Sequence, residues 1–197
     1  MAHTTSTAAG AGLASEVARL LGGRPVLLIG MMGAGKTTVG RRLAARLGLP
    51  FVDSDAEIEA AAGMPISDIF ATRGEGEFRA GEARVMARLI RESSGVVATG
   101  GGAFMNAETR ALAQQHAVTV WIKADFDVLF ARVSKRSTRP LLKTADPKAT
   151  LRALMETRGP TYALADITIH SHDVPHETVA SELIARLHTH LLKEAAS

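Results

Sequence analysis

Along the chain, short apolar runs alternate with longer stretches of helical spacing. Val26–Ile29, Phe51–Val52, Val96–Ala98, Val118–Ile122 and Ile167–Ile169 have strand length and little internal polarity, as strands buried on both faces do. Between them, Lys36–Leu47, Asp55–Ala62, Glu77–Arg91, Ala107–His116, Asp127–Lys135 and Pro147–Tyr162 read as helices, and His176–Lys193 as a last amphipathic one. Strands alternating with helices predict βαβ units, hence a parallel sheet with helices on both faces. Residues 1–12 are small and polar without periodicity, which predicts a disordered tail. Leu13–Leu21 has helical spacing and stops at Gly22-Gly23, so a short helix is expected ahead of the domain. No repeat or linker interrupts the pattern after Pro25, and residues 25–197 are expected to fold as one unit, with residues 1–24 outside it.

Composition narrows the class. The 197 residues are 46% hydrophobic and 22% charged, too apolar for a disordered chain. No apolar run approaches the ~20 residues a membrane span needs, so no membrane partner is expected. The absence of cysteine excludes disulfide scaffolds, Cys-ligated zinc and thiol catalysis, and is compatible with a reducing cytoplasm. No positive start followed by an apolar stretch marks a signal peptide. A net charge of +3 does not point to nucleic acid.

The strongest motif is Gly30-Met31-Met32-Gly33-Ala34-Gly35-Lys36-Thr37, a complete G-x-x-x-x-G-K-[ST] between a strand and a helix. Its glycines let backbone N–H groups wrap a phosphate at a helix N-terminus. Lys36 can reach the terminal phosphates, and the Thr37 hydroxyl can ligate Mg2+. No N-K-x-D element is present, which argues against a GTPase. Asp53 and Asp55 follow the second strand, two apart on extended chain, where a doubly wound sheet opens its ligand crevice. One can hold a metal through water and the other can draw a proton from a hydroxyl. The simpler alternative makes Asp55 the N-cap of helix 56–62. Gly100-Gly101-Gly102 ends the third strand and admits a ligand to the backbone, or is only a flexible turn. Arg79 and Arg158 read, singly, as surface arginines. Arg132, Lys135, Arg136, Arg139 and Lys143 make the segment 132–147 basic and aperiodic, as a lid over phosphates would be. The histidines near both ends of the last helix read as solvated rather than metal-binding. Met31, Met32, Met86 and Trp121 read as packing residues.

Taken together the pieces resemble one family. Gly30–Thr38, Asp53-Ser54-Asp55, Ile69-Phe70, Gly74-Glu75, Glu77-Phe78-Arg79 with Glu82, Val96–Gly102, Arg139-Pro140-Leu141-Leu142 and Arg158-x-Pro160-x-Tyr162 occur in the order seen in shikimate kinases. These belong to the nucleoside-monophosphate-kinase-like group of P-loop folds. The resemblance spans residues 25–170. It implies a three-layer α/β/α sandwich with a central five-stranded parallel sheet and a mobile lid. It also implies transfer of the ATP γ-phosphate to the 3-hydroxyl of shikimate, on the route to chorismate and aromatic amino acids.

Residue by residue, the resemblance puts Gly33, Ala34, Gly35, Lys36, Thr37 and Thr38 on the phosphates, Thr37 and Asp53 on Mg2+, and Asp55 on the substrate hydroxyls as base. Arg79 and Arg158 would bracket the shikimate carboxylate, a planar anion suited to guanidinium forks. Gly101, with Gly100 and Gly102, would contact the ring. Arg139 would swing in with the lid, and Arg132 would pack on adenine. Family precedent suggests a monomer in the cytoplasm. Two stretches depart from the pattern: Tyr162–Asp166 is shorter than usual before the last strand, and residues 170–175 match nothing in the family's adenine loop. A kinase for another sugar acid such as gluconate would share the phosphate loop but not the E-F-R, G-G-G and R-x-P-x-Y set. A non-catalytic regulator would be expected to have lost Lys36, Asp55 or Arg139.

Overall fold

The computed structural model describes residues 3–134, 144, 146–171 and 174–196. Five strands, β1 (Val26–Ile29), β2 (Phe51–Asp53), β3 (Val96–Ala98), β4 (Val118–Lys123) and β5 (Ile167–His170), form one sheet in the order β2-β3-β1-β4-β5. Every pairing is parallel, with Val26 opposite both Val96 and Val118, Phe51 opposite Val96, and Val120 opposite Ile167. All four residues of β1 are buried, as the centre of a sheet covered on both faces requires.

The helices are α1 (His3–Leu21), α2 (Lys36–Leu47), α3 (Ser54–Ala62), α4 (Ile66–Glu92), α5 (Ala107–His116), α6 (Phe126–Val133), α7 (Pro147–Tyr162) and α8 (His176–Ala195). α1, α2 and α8 pack on one another, while α4 lies against α3 and α5. The core joins β1, β3 and β4 to Leu43 of α2, Met86 and Ile90 of α4, and Leu183 and Leu187 of α8. This is the expected three-layer arrangement. None of the described helices is long and apolar enough to cross a membrane.

Four local expectations change. Helix α1 begins at His3 rather than near residue 13, and its Ala14, Val17 and Leu21 are buried in the common core. Helix α4 begins at Ile66, well before Glu77. It is bent at Gly74 (φ 81°, ψ 171°), a conformation open to glycine but strained for other residues. Gly74 makes the bend, and with Gly76 it masks the helical pattern before it. Trp121, expected inside the sheet, is only half-buried: its ring lies 5.9 Å from that of Tyr162, with the Lys123 ammonium 5.1 Å above it. Asp53, not Asp55, caps α3, accepting from the Asp55 N–H at 3.1 Å.

The link between α7 and β5 is pinned by side chains. Asp166 accepts from Thr119 N–H at 2.8 Å and from its hydroxyl at 2.7 Å, and its own N–H donates back to that hydroxyl. These bonds tie the start of β5 to β4.

Candidate active site

The site forms where the C-terminal ends of β1, β2 and β3 meet, because a parallel sheet points all its strand ends the same way. After β1, the phosphate loop turns into α2 through Gly35, whose φ of 96° places it in the left-handed region as N-cap. Met31 and Met32 of the loop are buried, and Ala34 is fully buried. Lys36 is buried too and donates from Nζ to the carbonyls of Gly30 at 2.8 Å and Met31 at 2.9 Å. Its ammonium is thus held by the backbone of the loop itself. The first turn of α2 includes Thr38, whose carbonyl accepts from Arg42.

After β2, the carboxylate of Asp53 serves two neighbours. Oδ2 accepts from the Thr37 hydroxyl at 2.9 Å while Oδ1 caps α3. Two hard oxygen donors, one from the start of α2 and one from the end of β2, therefore stand side by side. Ser54 is fully buried and its hydroxyl accepts from Gly100 N–H at 2.9 Å, tying the β2 end to the β3 end. That tie brings Asp55 to Gly100. A Cβ on residue 100 would stand 2.8 Å from Asp55 Oδ1 and 2.8 Å from Glu82 Oε1. The first of the three glycines is therefore a place for two carboxylates, not a loose turn.

Beyond the glycines lies a cavity of about 380 Å³, lined among others by Arg79, Glu82, Gly102, Asn106 and Arg158. Arg79 projects from α4 and is held by Glu82 at 2.8 Å and Glu75 at 3.1 Å, one turn to either side. Its guanidinium lies against Gly102, so a side chain at residue 102 would displace it. Arg158, buried on α7, donates to the Gly101 carbonyl at 3.0 Å, and the Tyr162 hydroxyl donates to the same oxygen. Two arginines that look like surface residues in the sequence thus face one cavity from two helices.

Charge in this cavity is finely matched. Burial pushes the Glu82 carboxyl up; Arg79 pulls against it, Asp55 adds to it, and Arg158 opposes it. Burial alone would lower the Arg79 guanidinium, but Glu82 and Glu75 outweigh it and leave it raised. Burial likewise raises the Tyr162 phenol, against Arg158. Glu82 was legible only as part of the family pattern; its spacing of three from Arg79 on a helix is the signal that pairs them.

Arg132 lies on the other side of the loop, with Nη1 3.4 Å from both the Gly33 carbonyl and the Ser171 hydroxyl. His176 stands beside it against Gly35, a neighbour that sequence reading had placed in solvent. His188 and His190 meet Glu16 at 3.1 Å and Glu194 at 3.3 Å. Arg139, together with Lys135, Arg136, Pro140 and Lys143 of the expected lid, lies outside the described residues, as does His172. Among the described residues no group of three or more His, Asp or Glu is placed to hold a metal.

A family model described as "Shikimate kinase" matches residues 32–188. A shikimate kinase of Bradyrhizobium diazoefficiens is 55% identical over 183 residues, 93% of this chain and 88% of the relative. The chain belongs to the shikimate kinase family. One of Rhizobium meliloti is 52% identical over 178 residues, covering 90% of this chain and 93% of its own. Among solved structures, shikimate kinase from Acinetobacter baumannii in complex with shikimate superposes with a TM-score of 0.81 at 36% identity, over 84% of this chain and 93% of that one. A gluconokinase from Sinorhizobium meliloti shares the fold, at a TM-score of 0.58 and 19% identity over 87% of this chain and 97% of its own. The family match begins at residue 32, inside the phosphate loop.

Proposed function

We propose that this shikimate kinase family member transfers the γ-phosphate of ATP to the 3-hydroxyl of shikimate, giving shikimate 3-phosphate and ADP. The observation that carries the reading is the meeting of three parts around Gly100–Gly102. These are the phosphate loop with Lys36, the acids Asp53 and Asp55, and the cavity faced by Arg79 and Arg158. A phosphoryl donor site and a site for a small carboxylate acceptor share one floor.

Each residue then has a physical task. The N–H groups of Gly33 to Thr38 and the Lys36 ammonium hold the triphosphate and take up charge on the transferring group. Arg79 and Arg158 hold the acceptor's carboxylate by forked, charge-assisted hydrogen bonds. Holding that end turns the ring so that its 3-hydroxyl faces the donor, the orientation that supplies most of the rate in loose phosphoryl transfer. Asp55 accepts the hydroxyl proton as the oxygen bonds to the γ-phosphorus and the bond from phosphorus to the β–γ bridging oxygen breaks, releasing ADP. Glu82 keeps Arg79 in place and shares the space beside Gly100 with Asp55.

Thr37 and Asp53 would hold Mg2+, for which hard oxygen donors are suited. When bound, the ion neutralises charge on the β- and γ-phosphates. Arg139 would add a second positive group, and Arg132 would lie along the base. Residues 25–197 are the catalytic unit, with 1–24 an addition to it, and the chain works as a cytoplasmic monomer.

The test is coupled ADP release with ATP and Mg2+, comparing shikimate, quinate, gluconate and no acceptor. Shikimate-dependent release is expected. Release with gluconate alone would move the acceptor, and release with no acceptor would make the chain an ATPase.

A further inference from the structure

The order of the strands sets the direction in which ATP must lie. The phosphate loop follows β1, the central strand, while the acceptor groups follow β2 and β3, on one side of it. The terminal phosphate must point to that side, so the nucleoside leaves the loop toward β4 and β5. The rim on that side is built by α6, which follows β4, and by the start of α8, which follows β5.

His176 is the first residue of α8 and stands on this rim. Its Nε2 lies 3.2 Å, and its Cδ2 3.4 Å, from the point a Cβ on residue 35 would occupy. Arg132 Nη1 is 3.8 Å from the same point. The imidazole thus takes the place of a side chain on the last loop glycine, directly beside a guanidinium. Burial, and then the charges of Arg132 and Arg42, lower the pKa of His176. A neutral imidazole offers one N–H donor and one nitrogen acceptor, a pair that suits hydroxyls and heterocyclic nitrogens better than phosphate.

We propose that His176 is a nucleotide-contacting residue: it hydrogen-bonds the nucleoside half of ATP on the β4–β5 rim of the phosphate loop. The inference rests on the reading of this loop as the ATP site, and it assigns a role to a residue outside the motifs that define the family resemblance.

The test uses the full chain with His176→Ala and His176→Gln. Steady-state constants for ATP and shikimate are measured, together with calorimetric binding of ATP and of inorganic tripolyphosphate, each with Mg2+. One hydrogen bond lost should raise KM for ATP about threefold to tenfold in His176→Ala. KM for shikimate and tripolyphosphate binding should stay unchanged, and His176→Gln, which keeps a donor and an acceptor, should recover part of the loss. Equal weakening of ATP and tripolyphosphate would overturn the proposal and make His176 only a brace for the loop. An unchanged KM for ATP would overturn it as well. Because nucleotide binding is read without acceptor, this outcome is separable from any failure of shikimate as substrate.

Discussion

Arg158 offers the sharpest test of how the acceptor is held. The side chain is 8% exposed, donates to Gly101 at 3.0 Å and faces the same cavity as Arg79. In the proposed reading, replacing it with alanine removes one forked partner of the acceptor's carboxylate. Hydrogen bonds to charged groups contribute about 1.5–3 kcal/mol, and a forked pair sits at the upper end, about 3 kcal/mol. At 1.36 kcal/mol per tenfold, kcat/KM for shikimate should fall by roughly a hundredfold, chiefly through KM. Folding should suffer less, since the Gly101 carbonyl still accepts from Tyr162. The lost bond to Gly101 should cost about 1 kcal/mol of stability. The assay is initial rate against shikimate at saturating ATP, then against ATP at saturating shikimate, with thermal melting as control. KM for ATP should change by less than about twofold, because uniform binding is lost only on the acceptor side. Equal rises in both KM values would refute the placement of Arg158, as would a shikimate KM close to that of the unaltered chain.

Further predictions follow from the same geometry. Asp55→Asn should lower kcat by about a thousandfold while leaving calorimetric ATP affinity intact, the loss expected when a general base is removed; near-normal turnover would remove its role as base. Gly100→Ala should cut activity more than stability, because its Cβ would stand 2.8 Å from both Asp55 and Glu82, and the pH–rate profile should shift as those carboxylates separate. Thr37→Val should raise the Mg2+ concentration needed for half-maximal rate, since the hydroxyl beside Asp53 is lost; an unchanged Mg2+ dependence would place the metal elsewhere. Glu82 has a folded pKa raised above 4.5, so the stability linked to its protonation is fully present below 4.5 and is lost as pH rises through the folded value. Melting the unaltered chain and Glu82→Gln side by side should show the former gaining relative stability as pH falls toward 4.5; a gap that does not change with pH would mean Glu82 titrates normally.

The parts of the fold legible in the sequence are those governed by local pattern. Buried parallel strands are continuous apolar runs, and Val26–Ile29 and Val96–Ala98 end where the pattern ends. Asn106 and Asp146 cap α5 and α7 through side-chain oxygens, which makes those starts readable. The first part of α4 was hidden because Gly74 and Gly76 interrupt the propensity signal while the helix bends and continues. In the site, the phosphate loop is legible because its chemistry is contiguous. Arg79 and Arg158 are not legible without the family pattern, since nothing local distinguishes a buried arginine facing a cavity from one in solvent. His176 was misread for the same reason: its meeting with Gly35 depends on β5 lying beyond β4 in the sheet, a fact of topology.

The central claim is that the phosphate loop and the arginine-lined cavity serve one transfer to one hydroxyl. Its most direct test is phosphorus and proton magnetic resonance of the product formed from ATP and shikimate. The account predicts a single phosphomonoester whose phosphorus couples to the proton on C3. Coupling at C4 or C5, or release of inorganic phosphate with shikimate unchanged, would contradict it.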